Sequence, residues 1–341
     1  MLPAAATNLP PTRSQFAATV AANHPLCRDH YRLVLRLPNF PTTHPGQFIQ
    51  VACRDLHPDT VAETEFDWHP GRPIDLPSSD LTGPTALLRR PFSLAGRRDL
   101  PNHVELDLIH RVVGVGTDWL SRLRPGDHVH ILGPLGNVFT PPPAGSTALL
   151  IGGGVGIPPM LYLADHLAAI APAGKPNAVA FAGALTRDLL PLTISPAAPV
   201  PSPDSADPQP AIAEFSRHGI PSIISTDDGS YAFRGFITQA LERYLDRLLL
   251  TPGPCPPAPP TLYTCGPEPM MKRVADIAAA RGLPCQVAVE RAMACGMGTC
   301  QSCCIRVRKP DPSQPPLAGK DWCYRLACTD GPVFSAADLL W

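Results

Sequence analysis

The stretch ERAMACGMGTCQSCCIRV, residues 290–307, places four cysteines within ten positions. Cys295, Cys300 and Cys303 follow the spacing C-x4-C-x2-C, which plant-type [2Fe–2S] centres use together with one more distant cysteine. Such a loop must wrap an inorganic core, aim thiolates inward and point N–H groups at sulfur. Gly296 and Gly298 supply the positive φ and close backbone approach that this requires. Amide donors to sulfur then tune the potential. Two downstream residues are candidates for the fourth ligand, Cys323 and Cys328, and the spacing leaves both open. Cys304 directly follows a ligand, which aims it away, and it reads as packing. The competing reading is a structural zinc site, which also takes four thiolates. Zinc knuckles pair two short C-x2–4-C elements, whereas the second half here offers only the C-x4-C of 323 and 328. Redox thiols or simple burial complete the alternatives.

Three further stretches could meet cofactors. LLRRPFSLAG puts Arg90, Pro91, Phe92 and Ser93 at a strand end, where Arg can neutralise a pyrophosphate and a hydroxyl can bond a flavin edge. On its own this tetrapeptide is more often a turn. LIHRVVGVGTDWL ends a strand at Ile109, His110 and Arg111; Gly114 and Gly116 then form a turn, with Thr117 expected to cap a helix beginning near Asp118. A helix start of this kind can seat phosphate, and an equally good reading is a capped helix with no ligand. LLIGGGVGIPPM sets Gly152, Gly153, Gly154 and Gly156 between a strand and a helix. Position 157 is Ile, so G-x-G-x-x-G is not met, although bare backbone ahead of a helix dipole works by the same mechanics. YTCGPEPMM places Cys265, Gly266 and Pro267 at a strand end, where open parallel sheets bind ligands. A buried small residue is the competing account of Cys265.

These motifs need elements to hold them. Short alternating runs such as YRLVLRL, QFIQVAC, HVELDLIH and DHVHILG predict an antiparallel barrel or sandwich over 14–53 and 86–140. Residues 54–85 read as a polar excursion and PPPAG at 141–145 as a linker. From 146 onward strands alternate with helical stretches, predicting a mostly parallel, doubly wound sheet. The Pro-rich segments near 191–211 and 251–260 read as surface loops too poor in apolar residues to form core. The expected architecture is therefore multidomain: a barrel over 1–143, an α/β nucleotide domain over 144–284 and a small cysteine domain over 285–341.

Bulk properties narrow the class. The chain has 341 residues and a formal net charge of -1, which argues against a nucleic-acid surface. No basic start with an apolar core suggests a secretory signal, and no long apolar run suggests a membrane span. Eleven cysteines, clustered toward one end, suit metal ligation in a reducing cytoplasm.

The order of motifs, Arg-Pro-x-Ser, Gly-x-Gly-Thr, Gly-rich turn and Cys-Gly-Pro, resembles the ferredoxin-NADP reductase superfamily over most of the chain. With VERAMACGMGTCQSC and LACTDGPVF at the end, it resembles the iron–sulfur electron-transfer subunits of NAD-linked dihydroorotate dehydrogenases. The resemblance implies that Cys295, Cys300, Cys303 and Cys328 ligate the cluster. It also implies that Arg90, Pro91, Phe92, Ser93, Ile109, His110, Arg111, Gly116 and Thr117 contact FAD. Phe92 stands where many relatives of the superfamily carry Tyr. The function implied is passage of electrons from a dihydroorotate-oxidising, FMN-containing partner through [2Fe–2S] and FAD to NAD+ in pyrimidine biosynthesis, within a hetero-oligomer. Here Gly152 to Gly156 would flank nucleotide phosphates, with Cys265 and Gly266 near the nicotinamide. No substrate base is evident, so no catalytic side chain is assigned. The alternative is a reductase component of an oxygenase, sulfite reductase or hydrogenase system, which shares these domains and differs in partner.

Overall fold

A computed structural model describes residues 14–55, 86–196, 201–250, 258–308 and 321–341. The excursion expected at 54–85 lies almost wholly outside these residues, as does part of each Pro-rich segment.

The alternating N-terminal runs form one antiparallel sheet of seven strands. These are β1 (Ser14–Cys27), β2 (His30–Leu37), β3 (Phe48–Val51), β4 (Arg90–Ser93), β5 (Gly96–Leu100), β6 (His103–Arg111) and β7 (His128–Leu135), in the order β4-β3-β7-β1-β2-β6-β5. Only Leu94 and Ala95 separate the two end strands. The N–H of Leu94 donates to Gln47 beside β3, and that of Ala95 to Asp107 on β6. The chain thus steps from one edge of the sheet to the other and closes it into a barrel, which leaves no long open edge. Period-two alternation sends Leu33, Leu35, Ile49, Val51, Leu106, Leu108 and Ile131 inward. Helix α1 (Val115–Ser121) plugs this interior with Leu120, and Asn23 Nδ2 donates to the carbonyls of Leu120, Ser121 and Leu123 at its C-terminal end.

The second sheet is doubly wound. Strands β8 (Ala148–Gly153), β9 (Ala178–Ala184), β10 (Ser222–Thr226), β11 (Phe233–Arg234), β12 (Thr261–Cys265) and β13 (Cys285–Ala288) run parallel in the order β11-β10-β9-β8-β12-β13. Helix α2 (Ile157–Ile170) and the short α3 (Ala213–Ser216) cover Leu150, Ala180 and Ile224 on one face. Helices α4 (Ile237–Leu250) and α5 (Glu268–Ala280) cover Leu149, Phe181 and Ile223 on the other. Winding reverses between β8 and β12, the point at which such sheets bind ligands.

Beyond 284 the sheet continues. β13 pairs with β12, and β16 (Val333–Ser335) adds antiparallel to β13, so the 285–341 segment lends two strands to the nucleotide sheet. Between them, β14 (Cys304–Arg308) and β15 (Trp322–Leu326) form a separate hairpin. One apolar cluster joins Ile305, Val307 and Cys328 of this unit to Phe48 and Leu135 of the barrel and Val287 of the sheet. The described part of the first Pro-rich segment also differs from a bare surface loop. Ala206, Ala211 and Ile212 are buried, because bridges Ile194 to Ile212 and Gln209 to Ser222 pin the segment along β10.

Candidate functional site

On the barrel, β4 presents Arg90, Pro91, Phe92 and Ser93 beside β3, and Arg90 Nη1 donates to the Leu88 carbonyl. The Phe92 ring meets His110 edge-on at 6.1 Å, and His110 stacks on Tyr31 at 5.8 Å. His110 is buried with both ring nitrogens unpartnered. Burial, then the neighbouring His30, pushes its pKa down to about 4, so the ring is neutral near pH 7 and carries one free donor and one free acceptor. Arg111 Nε is likewise unpartnered. Unsatisfied buried polar atoms at one place mark a site that expects a polar ligand.

Two local details bear on these stretches, and the second corrects the expected helix start. Ile109 points to the opposite face of β6 from His110 and packs among the residues around α2, so only its backbone shares the His110 environment. Thr117 is inside the helix rather than its cap. Helix α1 begins at Val115, and Thr117 Oγ1 accepts from the N–H groups of Val113 (2.9 Å) and Gly114 (3.2 Å) while donating to the Gly114 carbonyl. Its hydroxyl thus ties the preceding turn, and capping from within the third helical position explains why the helix starts earlier. Gly116 is there for closeness, since a Cβ would sit 3.1 Å from that of Cys53 and 3.2 Å from that of Ala86.

At the switch point the glycines divide into two jobs. A Cβ on Gly156 would fall 2.2 Å from the Cys265 carbonyl oxygen, and one on Gly153 would fall 2.6 Å from Met270 Sδ. Gly152 would meet the backbone of Ile157 at 2.9 Å. These three let the β8 and β12 turns interlock. Gly154, with φ +53° and nothing within 4 Å of where a Cβ would lie, is the open one. Gly266, at φ +150°, abuts the Gly153 backbone. Cys265 is buried, and burial followed by the charge of Glu290 pushes its thiol up to about 12, so it remains protonated.

Gly153, Gly154 and Pro267 open into a cleft of about 810 Å³ that His30 and Arg111 of the barrel also line. Glu290, just after β13, completes the wall on the side of the cysteine loop. Asp227, Phe236 and Arg273 line it as well. Nothing in the motifs singles out Asp227. It follows β10 directly, a strand-end position visible only once strand order is known.

In the cysteine loop, Cys295 Sγ accepts from the N–H of Met297 (3.5 Å) and of Cys300 (3.4 Å). Gly296 and Gly298 have φ of +71° and +88°, the left-handed turn that aims these amides at sulfur. Ser302, then Cys295, lowers the Cys300 thiol to about 6. Cys303 and Cys328 are buried together; burial, with Cys303 adjacent and the Cys295 charge nearby, pushes Cys328 up to about 12. Cys300 thus adjoins Cys295, Cys328 adjoins Cys303, and Cys295 also lies near Cys328. Four thiolates of this kind suit a two-iron core, with two at each iron, and are also the donor set of a structural zinc. Cys323 lies on β15 opposite Val307, and Cys304 is exposed on β14 opposite Leu326. Cys323 packs against the apolar cluster that buries Cys303 and Cys328, and Cys304 directly follows Cys303 on the exposed side of β14.

The turn carrying Cys328 is clamped to the barrel by a residue that no motif flagged. Asn137 Nδ2 donates to the carbonyls of Asp330 (2.9 Å) and Val333 (2.8 Å), and its Oδ1 accepts from the Val333 N–H (2.8 Å).

Comparison with known proteins fits this arrangement. Residues 290–340 match the family model described as the iron–sulfur cluster binding domain of dihydroorotate dehydrogenase B. The chain is 31% identical to the dihydroorotate dehydrogenase B (NAD(+)) electron transfer subunit of Desulforamulus reducens, over 96% of this chain and 98% of the relative. The protein of the same name from Geobacillus thermodenitrificans is 33% identical over 80% of this chain and 86% of its own. Among solved structures, that of an NADH-dependent reduced ferredoxin-NADP oxidoreductase aligns with a TM-score of 0.63 at 23% identity, covering 95% of this chain and 90% of that one. Ferredoxin-NADP+ reductase from Plasmodium falciparum aligns with a TM-score of 0.50 at 12% identity, covering 81% and 95%. These likenesses give the fold, a barrel joined to a nucleotide-binding sheet. The full-length relatives give the family: the chain belongs to the electron transfer subunits of the NAD(+)-linked dihydroorotate dehydrogenase B family.

Proposed function

We propose that the chain receives electrons from a dihydroorotate-oxidising, FMN-containing partner and delivers them to NAD+, using a [2Fe–2S] centre and FAD, in pyrimidine biosynthesis. The observation that carries this reading is the shared cleft: barrel residues His30 and Arg111 and sheet residues Gly153 and Gly154 open into one cavity, and Glu290 connects its wall to the cysteine loop. When bound, the flavin exchanges hydride with a nicotinamide and single electrons with the iron–sulfur centre, which is why such a converter sits between the two.

The chain's own residues bind, orient and insulate. Arg90 and Arg111 would supply the positive charge that a bound diphosphate requires. His110 offers a neutral ring whose free N–H and lone pair can bond a flavin edge, while Phe92 supplies an apolar surface beside it. Ser93, at the end of β4, adds a hydroxyl. Gly154 leaves its backbone open to the nucleotide, and the small, protonated Cys265 with Gly266 lets a nicotinamide ring approach without a competing charge. Cys295, Cys300, Cys303 and Cys328 hold the centre. Loop amides turned toward sulfur offset the negative charge that reduction adds. The barrel takes residues up to 143, the nucleotide sheet 144–288 with β16, and the cluster unit the segment between. No helix among the described residues is long and apolar enough to cross a membrane. The clustered thiols suit a reducing compartment, the cytoplasm.

Anaerobic holoprotein mixed with the FMN partner, dihydroorotate and NAD+ should form orotate and NADH in equal amounts. This chain alone should form neither, yet should oxidise NADH with an artificial electron acceptor. Orotate formation by this chain without the partner, or stoichiometric zinc in place of iron, would overturn the reading.

A further inference from the structure

β3 divides its side chains between two interiors. Ile49 and Val51 join the barrel core, whereas Phe48 joins the cluster that holds Cys303 and Cys328. By alternation Gln50 falls on the second face. It is completely buried, and neither its Nε2 nor its Oε1 has a hydrogen-bond partner. The carboxamide presses against Gly296, where a Cβ would lie 2.7 Å from its Cδ, 2.8 Å from Oε1 and 3.0 Å from Nε2. Across the ladder Gln50 pairs with Pro91 of β4. One side chain therefore stands between the flavin strand and the loop that carries Cys295 and Cys300.

A buried carboxamide without partners has lost its water and gained nothing in exchange, which is costly. Native interiors rarely leave such groups unsatisfied, and those they do leave call for an explanation. Neither the loop nor the barrel supplies one: the Met297 and Cys300 amides are already directed at Cys295 Sγ. A donor fixed beside this loop has sulfur as its nearest chemical use. Reduction adds one negative charge to an iron–sulfur centre, and an N–H directed at sulfur favours the reduced form.

We infer that Gln50 is a positioning residue whose side-chain N–H donates to sulfur of the [2Fe–2S] centre, raising its reduction potential while tying the cysteine loop to the flavin strand. This inference rests on the reading that the four cysteines hold that centre. Gly296 belongs to the same device, because any side chain there would displace the carboxamide.

The test is an EPR-monitored redox titration of the holoprotein and of its Gln50→Leu and Gln50→Glu variants. Flavin absorbance is followed in the same titration, and iron and sulfide are assayed. Gln50→Leu keeps the volume and removes the donor. At a fixed potential the ratio of reduced to oxidised centre should fall about tenfold, a midpoint roughly 59 mV more negative for a one-electron couple. Iron content and the flavin midpoint should stay unchanged. Gln50→Glu replaces the donor with a carboxylate and should move the midpoint further in the same direction. A wild-type midpoint in both variants overturns the inference. So does loss of iron from both, which would make Gln50 a requirement for assembly rather than a setting of potential. Wild-type protein with no [2Fe–2S] signal would instead refute the cluster reading itself, a result distinct from a normal signal that ignores residue 50.

Discussion

Replacing Asn137 with alanine should loosen the cluster without touching a ligand. The side chain makes three hydrogen bonds to the 330–333 turn, at 2.9, 2.8 and 2.8 Å. At about 1 kcal/mol each, their loss removes roughly 3 kcal/mol of docking energy. The backbone bonds from the Asn137 N–H to the Gly331 carbonyl and from the Val289 N–H to the Pro332 carbonyl survive, as does the pairing of β16 with β13, so the turn loosens without detaching. Cys328 lies at the start of this turn, and the Ala327 N–H donates to the Cys303 carbonyl, so opening the turn strains one thiolate pair. At 1.4 kcal/mol per factor of ten, local opening becomes about a hundredfold more frequent. Amide exchange at Val333 should accelerate by that factor, and iron loss to a chelator should accelerate in parallel, while exchange at Leu33 and Leu106 in the barrel stays at wild-type rates. Asn137→Asp keeps the acceptor for the Val333 N–H and loses both donations, so it should fall between. Unchanged Val333 exchange and unchanged iron loss in Asn137→Ala would refute the argument that this residue docks the cluster turn.

Cys328→Ser should lose iron and sulfide, whereas Cys323→Ser should retain both in full, as measured by metal and sulfide analysis, because the Cys328 sulfur contacts that of Cys303 while Cys323 sits on β15 opposite Val307. Gly156→Ala should destabilise the protein by about 3 kcal/mol or more in urea unfolding and abolish nucleotide binding, since its Cβ would overlap the Cys265 carbonyl. Gly154→Ala meets nothing within 4 Å and should cost only the strain of its positive φ, about 1–2 kcal/mol. His110 takes up a proton in the unfolded chain near its ordinary 6.5 but resists it in the fold to about 4. Stability should therefore fall as pH drops through that window, by up to about 3 kcal/mol, and level off below it. Urea midpoints measured at stepped pH should show this slope flattened in His110→Gln.

The features legible in the sequence were those whose chemistry fixes local spacing. C-x4-C-x2-C with Gly296 and Gly298 announces a loop wrapped around sulfur-bound metal, and strand–glycine–helix at 148–170 announces a nucleotide turn. Both rest on constraints within about ten residues. What stayed hidden depends on partners far along the chain. Thr117 looks like a cap because Thr is a good cap; that Gly114 starts the helix follows from how Gly116 must press on Cys53. The short strands β13 and β16 carry no periodicity of their own and become strands by completing a sheet edge. Ala206 and Ile212 sit in a Pro-rich segment that composition assigns to solvent, and they are buried because β10 needs a cover.

The same distinction explains how the units are joined. Asn137, Gln50 and Gln286 link barrel, sheet and cysteine loop through single carboxamides, the last accepting from the Thr140 N–H and donating to its carbonyl. A carboxamide serves both backbone groups of a facing strand or turn and carries no charge that burial would penalise. It therefore suits a seam between preformed units, where an ion pair would bring a desolvation cost and an apolar contact would leave backbone groups unsatisfied. Of the three, Asn137 and Gln286 are satisfied by backbone and hold the frame. Gln50 alone is left with open valences, and it is the one that faces the sulfur loop. A purely structural seam residue would have been satisfied like the other two, so the position where the pattern fails is the position where the cofactor should complete it.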